Sequence, residues 1–376
     1  MNFGFTDEQE MLRQTARRFL EAECPTTFVR RALADPSHSE ALWRKLVDLG
    51  WTGLLVPEEH GGLGGSFEDL VVVLEETGRA LMPGPFFATV LCGVTAVLAG
   101  APAGERARLL PRLARGELRM TLAVAEAEGR FDAAGIALPA RQNGDGIVLA
   151  GEKHFVPDAH LADVLVVAGR SGGMAEEGIT VCLVDAHAPG VTVTPLRTVD
   201  ASRRVCRVAL DAVHVGRDAI LGAPGAGWPI LRRTLEQAIA GLTAEMVGTA
   251  QQALDLSVAY AKERQQFGRP IGSFQAIKHK LADMLVAVEN GRSLAYHAAW
   301  AVTEDAPVAA QAVAMAKAYC SDMVRDVTSE AIQVHGGIGF TWEHDMHLFH
   351  RRALAGEANF GNAPVHREVV AKSLLD

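Results

Sequence analysis

The spacing of apolar residues changes twice along the chain. From Phe5 to about Leu118 it follows a helical period. Met11, Leu12, Ala16, Phe19 and Leu20 form one stripe, and Thr6 with Gln9 three residues later is a capping-box signature for its start. A second helix is expected at about 41–50, with Leu42, Leu46, Val47 and Leu49 as its apolar residues and Gly50 as its stop. Beyond the glycine-rich loop at 57–65, helices are expected at 69–80, 86–99 and 106–115. Around Met120 the period shortens. Apolar runs of strand length occur at 121–125, 146–149, 164–168, 179–184, 191–193 and 206–210, punctuated by Gly, Asp, Pro and Asn. From Trp228 the pattern lengthens again, into helices at about 228–265, 273–304 and 308–334 and a last one near 365–375. A run of strands between runs of helices predicts an α+β fold in separate layers or domains rather than alternating βαβ units. The expected division is an N-terminal helical domain at 1–118, a middle β domain at 119–222 and a C-terminal helical bundle at 223–376.

Composition narrows the function classes. Apolar residues make up 49% and charged residues 22%, which excludes disordered, collagen-like and disulfide-dense chains. Basic residues number 36 and acidic residues 45, so the net charge is −9. That balance supplies no counterion-release drive toward nucleic acid and no pull toward anionic lipid. Cys24, Cys92, Cys182, Cys206 and Cys320 are scattered, with no CxxC, as expected of reduced thiols in a cytoplasmic protein. Asp7, Glu8 and Glu10 stand where a secretory segment would be basic. The uncharged stretch at 80–104 is interrupted by Pro and Gly, and its longest helical part, 86–98, falls short of the about 20 residues a membrane span needs. A buried core helix is expected there.

The motif scan is mostly negative. There is no GxGxxG after a strand, no GxxxxGK[ST], no HExxH and no GxSxG, so Rossmann-type nicotinamide binding has no support. His344, His347 and His350, with His335 nearby, suggest a metal site, but successive steps of three drift around a helix, and no metal is expected.

Two segments go beyond composition. RQQFGRPIGSFQAIKHKLADM at 264–284 and QVHGGIGF at 333–340, with the stretch to 352 after it, resemble the acyl-CoA dehydrogenase family of flavoproteins. FTDEQ at 5–9, LGWTGLLVPEEHGGLGG at 49–65, EETGRA at 75–80 and GEKHFVPDAHLADVLVVA at 151–168 carry the resemblance along nearly the whole chain. It implies a C-terminal four-helix bundle and a homotetramer or dimer. It also implies FAD lying between the β domain and the bundles, an acyl thioester of coenzyme A or an acyl carrier protein as substrate, and an electron-transfer flavoprotein as electron acceptor. Arg264 would neutralise the FAD pyrophosphate with its forked donors. Phe267 and Gly268 would approach the dinucleotide, Gln275 and Gln333 would stand among its contacts, and Gly336 and Gly337 would bring backbone N–H groups to a phosphate. Phe155 would stack near the flavin ring.

The chain departs from the family where the chemistry needs a carboxylate to accept the α proton. The position that carries this Glu in many members is Phe360, within ANFGN at 358–362. Others place it on the first long helix of the bundle, where this chain has Ala238. Glu245 lies about 20° from the Ala238 direction and about 10.5 Å further along a helix, which makes it the candidate base. Glu236 points the other way, and Glu357 precedes Phe360 by three residues. Ala125-Glu126-Ala127 and Phe155-Val156-Pro157 also replace the family's usual flavin-facing residues. Three readings follow: an FAD-dependent acyl thioester dehydrogenase with a relocated base, a non-catalytic or cofactor-sharing subunit of a hetero-oligomer with a homologous chain, and a member with changed flavin chemistry.

Overall fold

The computed structural model describes residues 5–375. The chain opens with α1 (Asp7–Glu23), α2 (Thr26–Ala34), α3 (Ser39–Asp48) and α4 (Phe67–Arg79). Thr6 and Gln9 close the expected capping box, each side chain accepting from the other's backbone N–H at 3.2 Å. Helix α3 stops where glycine predicts, because Gly50 takes φ 74, which a β-carbon disfavours. The helix expected at 86–99 is not uniform. Phe87–Gly93 is a π-helix, and it continues as α5 (Val94–Gly100), followed by α6 (Ala103–Ala114). Every residue of the π segment is buried. Among the described residues, no helix is long and apolar enough to cross a membrane.

The strands are β1 (Met120–Ala123), β2 (Ala140–Asn143), β3 (Gly146–Pro157), β4 (Val164–Arg170), β5 (Ile179–Asp185), β6 (Val191–Pro195), β7 (Val205–Val215) and β8 (Ile220–Leu221). After them come α7 (Trp228–Glu263), a two-residue-stranded hairpin of β9 (Gln265–Gln266) and β10 (Arg269–Pro270), then α8 (Gln275–Thr303), α9 (Ala309–His335), α10 (Met346–Ala358) and α11 (Ala363–Leu375). Besides the two-residue strands β9 and β10, four elements escaped the apolar pattern. Strand β2 is three-quarters exposed and reads as a polar turn, α2 is a short helix on the heels of Pro25, α10 mixes histidines and arginines with its buried Leu348, Phe349 and Ala353, and β8 is too short to show a period. Strands β3 and β7 run well past their apolar runs because they pair with each other along two register shifts.

The chain forms two compact units. One comprises Asp35–Phe67 and Pro83–Ala238. Its strands make two sheets of four, ordered β1-β4-β5-β8 and β2-β3-β7-β6, with β1 parallel to β4 and the other pairs antiparallel. The sheets share one core, in which Leu165, Val167, Cys182 and Val184 of the first meet Leu149, Val156, Cys206 and Val208 of the second. The π-helix lies against β1: Thr89 Oγ1 donates to Met120 O and accepts from Met120 N, both at 3.2 Å. A β-carbon on Gly93 would reach 2.5 Å from that of Met120, so only glycine fits this contact.

The other unit comprises the chain up to Ala34, Glu68–Met82 and everything from Ile239 on. Here α4 and α7 nearly touch. A β-carbon on Gly78 would stand 2.0 Å from Glu245 O, and one on Gly248 would stand 1.8 Å from Glu75 O. The same contact carries charge. Glu75 accepts from Arg292 Nε at 3.1 Å and from the Tyr296 hydroxyl, and Glu76 takes both Arg17 Nε and Nη2, at 3.0 and 2.7 Å. EETGRA therefore encodes a helix packing surface: glycine supplies the close approach and the two acids tie α4 to α1 and α8.

Candidate functional site

The residues implied for the dinucleotide fall in both units. In the helical unit they gather at one end of the bundle. The Tyr260 and His335 rings stack at 4.6 Å with planes 27° apart, so the C-terminal ends of α7 and α9 lie side by side. Arg264 follows α7 directly, and Gly336 and Gly337 follow α9 directly. The β9–β10 hairpin folds back, with Ile271 N donating to Arg264 O at 2.8 Å, and α8 then begins at Gln275. Gln275 and Arg264 are exposed, as is Gln333 on the last turn of α9. Phe267 and Gly268 form the hairpin tip, both at positive φ (53 and 76). Phe267 is 92% exposed, with only the edge of Phe274 at 6.0 Å between ring centres.

This end suits an extended anionic dinucleotide. The Arg264 guanidinium is a forked cation on the surface. A β-carbon on Gly336, at φ 64, or on Gly337 would meet nothing within 4 Å, so the backbone there is open to a close partner. The N-terminus of α8 adds partial positive charge. The Ser273 hydroxyl, two residues before α8, is buried without a hydrogen-bond partner among the described residues, and so has a donor and acceptor to offer. The residues present fit the pyrophosphate of FAD.

In the β unit, Phe155 stands on the second register shift of β3 at φ 56 and is 38% exposed. What holds this bulge is Lys153, which the sequence reading did not single out. Its side chain is fully buried, and Nζ donates to Val124 O and to Glu126 Oε1, both at 2.8 Å. Burial pushes the Lys153 ammonium down to about 8 in spite of the carboxylate beside it. Burial alone would push Glu126 up, but the ammonium and the Leu138 and Ala137 amides outweigh it and hold this carboxyl below its ordinary value. Glu126 thus pins the segment after β1 to the strand that carries Phe155. Pro157, in place of a hydroxyl-bearing residue, offers only its carbonyl, which accepts from Thr121 Oγ1 at 2.5 Å.

The acid candidates are all engaged. Glu245 is 2% exposed. It accepts from Thr77 Oγ1 at 3.0 Å, inside the α4–α7 contact. Every residue of α7 from Gly241 to Ala250 is buried, so angular position on this helix does not choose a face. Along the helix Glu245 lies about 28 Å from Arg264. Glu357 accepts from Arg325 Nη1 at 2.9 Å, and Glu236 lies 3.9 Å from Arg232 in the β unit. Ala238 and Phe360, at the family's two base positions, are both buried. The histidines diverge: His344 packs on His335 at 4.6 Å, His347 on Trp342 at 4.7 Å, and His350 Nδ1 meets Thr328 Oγ1 at 3.0 Å. A cavity of about 250 Å³ in the helical unit is lined by Arg17, Cys24, Glu76, Arg79, Gln252 and Phe349. Burial pushes the Cys24 thiol up to about 12, so it is no nucleophile at neutral pH.

Comparison with known proteins matches this architecture throughout. Family models described as acyl-CoA dehydrogenase N-terminal, middle and C-terminal domains match residues 6–117, 121–213 and 225–375. A probable acyl-CoA dehydrogenase of Bacillus subtilis, YngJ, is 32% identical over 383 residues, covering 100% of both chains. The CarC subunit of the caffeyl-CoA reductase–Etf complex of Acetobacterium woodii is 28% identical over 99% of both. The solved butyryl-CoA dehydrogenase of Megasphaera elsdenii superposes with a TM-score of 0.92 at 28% identity and covers all of both chains. With all three domain models matched in order along nearly its whole length, the chain belongs to the acyl-CoA dehydrogenase family.

Proposed function

We propose that this protein is an FAD-dependent oxidoreductase acting on the Cα–Cβ bond of an acyl thioester and exchanging electrons with an electron-transfer flavoprotein. The observation that carries the reading is the meeting of Arg264, Gln275, Gly336 and Gly337 at one open end of the bundle, within a chain of this family. FAD, when bound, supplies a two-electron acceptor for the hydride that leaves Cβ. The protein's part is to hold and orient. Arg264 neutralises pyrophosphate charge, the glycine backbone approaches it, and Phe155 offers an exposed ring on a bulge stiffened by Lys153 and Glu126. The relative from Acetobacterium woodii is by name a subunit of a complex with Etf, which supports the electron partner. It is also by name a reductase, so the same bond chemistry in either direction falls within the reading.

A second reading concerns the α proton. Phe360 and Ala238 are buried and apolar, Glu357 is bound to Arg325, and Glu245 is enclosed between α4 and α7 with Thr77. For Glu245 to serve as base it must leave that contact. The arrangement favours a mixed oligomer in which a homologous partner chain supplies the carboxylate. Purification of this chain alone and with a co-expressed homologue, followed by visible spectra and anaerobic addition of acyl thioesters, tests both readings. Flavin absorbance lost in Arg264→Ala, with bleaching by a thioester only in the mixed preparation, is the expected result. A wild-type protein that never retains flavin in either preparation refutes the first reading. Bleaching by the lone chain, abolished in Glu245→Gln, refutes the second.

A further inference from the structure

Lys317 lies on α9 with no solvent exposure and, among the described residues, no carboxylate bonded to it. Its Nζ stands 3.0 Å from Gly356 O, 3.0 Å from Glu357 O, 2.9 Å from Gly361 O and 3.0 Å from Ser321 Oγ. An ammonium has three N–H donors and a neutral amine only two, so the three carbonyls are all served only by the charged form. Two of those carbonyls belong to the last turn of α10, where no intrahelical partner exists and the helix dipole is negative.

The groups facing Lys317 are few. Cys320 lies on its own helix, Glu357 on α10 turns its carboxylate to Arg325, and His366 on α11 is close enough for the Lys317 charge to lower it. Burial pushes the Lys317 ammonium down to about 7, with Cys320 and Glu357 pulling it up. His366 is buried as well, and its Nε2 meets Phe360 O at 2.9 Å. Side chains of α9 and α11 therefore take the carbonyls of residues 356, 357, 360 and 361. Inside this clamp Phe360 holds φ 57, a conformation that a bulky residue keeps only where its surroundings over-determine it. An apolar side chain at 317 would fill an alanine-rich core without placing a charge there, and buried charge is weak as a stabiliser. Its use here is geometric.

We propose that Lys317 is a positioning residue whose ammonium fastens the end of α10 and the turn after it to α9, and so fixes the backbone of position 360. The link to the reaction rests on the proposed function, and on the resemblance by which position 360 is where many family members carry the proton acceptor. The fastening itself stands on this chain's geometry alone.

Hydrogen exchange on the full-length protein tests it. In Lys317→Met, amides of residues 357–362 are expected to exchange about 10- to 100-fold faster, while those of α1 and of β4 and β5 keep their wild-type rates. Acceleration spread evenly over the helical unit, or no acceleration at the turn, overturns the assignment. Should Lys317→Met not fold, the wild type decides: the turn is expected to exchange as slowly as α9, and exchange as fast as that of the exposed loop 171–177 overturns it. Thioester-driven flavin bleaching is read separately. If wild-type protein is bleached neither alone nor with the co-expressed homologue, the proposed function falls and the exchange result still decides the role of Lys317.

Discussion

Replacing Lys153 by Met removes the strut beneath the Phe155 bulge, and its consequence can be sized. The folded-state value of Lys153 is about 8, against 10.5 for the free side chain, a drop of about 2.5. At 1.36 kcal/mol per unit, keeping the charge buried costs about 3 kcal/mol at neutral pH. The methionine escapes that cost and fills similar space, a gain already contained in the net figures for breaking a buried pair that follow. It also strands Glu126, whose side chain is 18% exposed and retains the Ala137 and Leu138 amides at 2.8 Å. Breaking a fully buried pair costs about 3–5 kcal/mol, and the two remaining donors place this case at about 2–3 kcal/mol. Adding Glu126→Gln removes the stranded charge and keeps an oxygen for both amides, so the double variant is expected to recover most of the loss. Urea unfolding at pH 7.5, followed by far-ultraviolet dichroism, measures the cycle. Flavin absorbance after gel filtration reports whether the bulge still serves the cofactor. A single variant within about 0.5 kcal/mol of wild type, or a double variant no better than the single, refutes the argument that this pair is held by mutual charge.

Two further outcomes follow from packing and titration. Gly248→Ala puts a β-carbon 1.8 Å from Glu75 O and 2.8 Å from Arg79 N, both backbone atoms, so α4 and α7 must separate. The expected loss is about 2 kcal/mol or more in thermal unfolding, even though alanine favours helix. Gly104→Ala, in the first turn of α6 with nothing within 4 Å, is the control and is expected to be neutral or mildly stabilising. For acid, burial lowers His366 to about 4 from 6.5 and also lowers His160, His335, His344, His347 and His350. Between pH 6.5 and 4 the unfolded chain binds a proton that folded His366 refuses, and the other five act in the same direction, so stability is present above 6.5 and lost as pH falls. His366 alone accounts for about 3 kcal/mol (about 2.5 units) of that loss. Urea midpoints at pH 4.5 and 7 should therefore differ less in His366→Gln than in wild type, and an equal difference in the two proteins is the contrary result.

Much of the fold was legible because it is written in local periods. The capping box at Thr6, the stop at Gly50 and the six strand cores all follow from residues close in sequence. What escaped depends on distant partners. Strand β2 is a strand only because β3 pairs with it, and the length of β3 is set by β7. The helical wheel gives Glu245 an angle relative to Ala238 but says nothing about enclosure, since α4 and α7 approach closely at Gly78 and Gly248, more than 150 positions apart. Arg264, Gln275, Gly336 and Gly337 were singled out because the family resemblance joins distant segments, and the stack of Tyr260 on His335 puts the ends of α7 and α9, after which Arg264 and the two glycines stand, side by side.

The two buried lysines were invisible for a shared reason, and they bear on the vacant base. A lysine reads as a solvated position in a polar stretch such as GEKHF and in an alanine-rich one such as AMAKAY alike, because nothing local records the acceptors waiting for it. Yet Lys153 and Lys317 each spend an ammonium beneath a short segment of irregular backbone, one carrying Phe155 and the other Phe360, and both residues have positive φ. The clamp under position 360 encloses a phenyl ring, so what it fixes is the shape of the turn and not a proton acceptor. In the mixed oligomer proposed above, a turn of fixed shape would form one wall of a composite site, with the acid coming from the homologous chain.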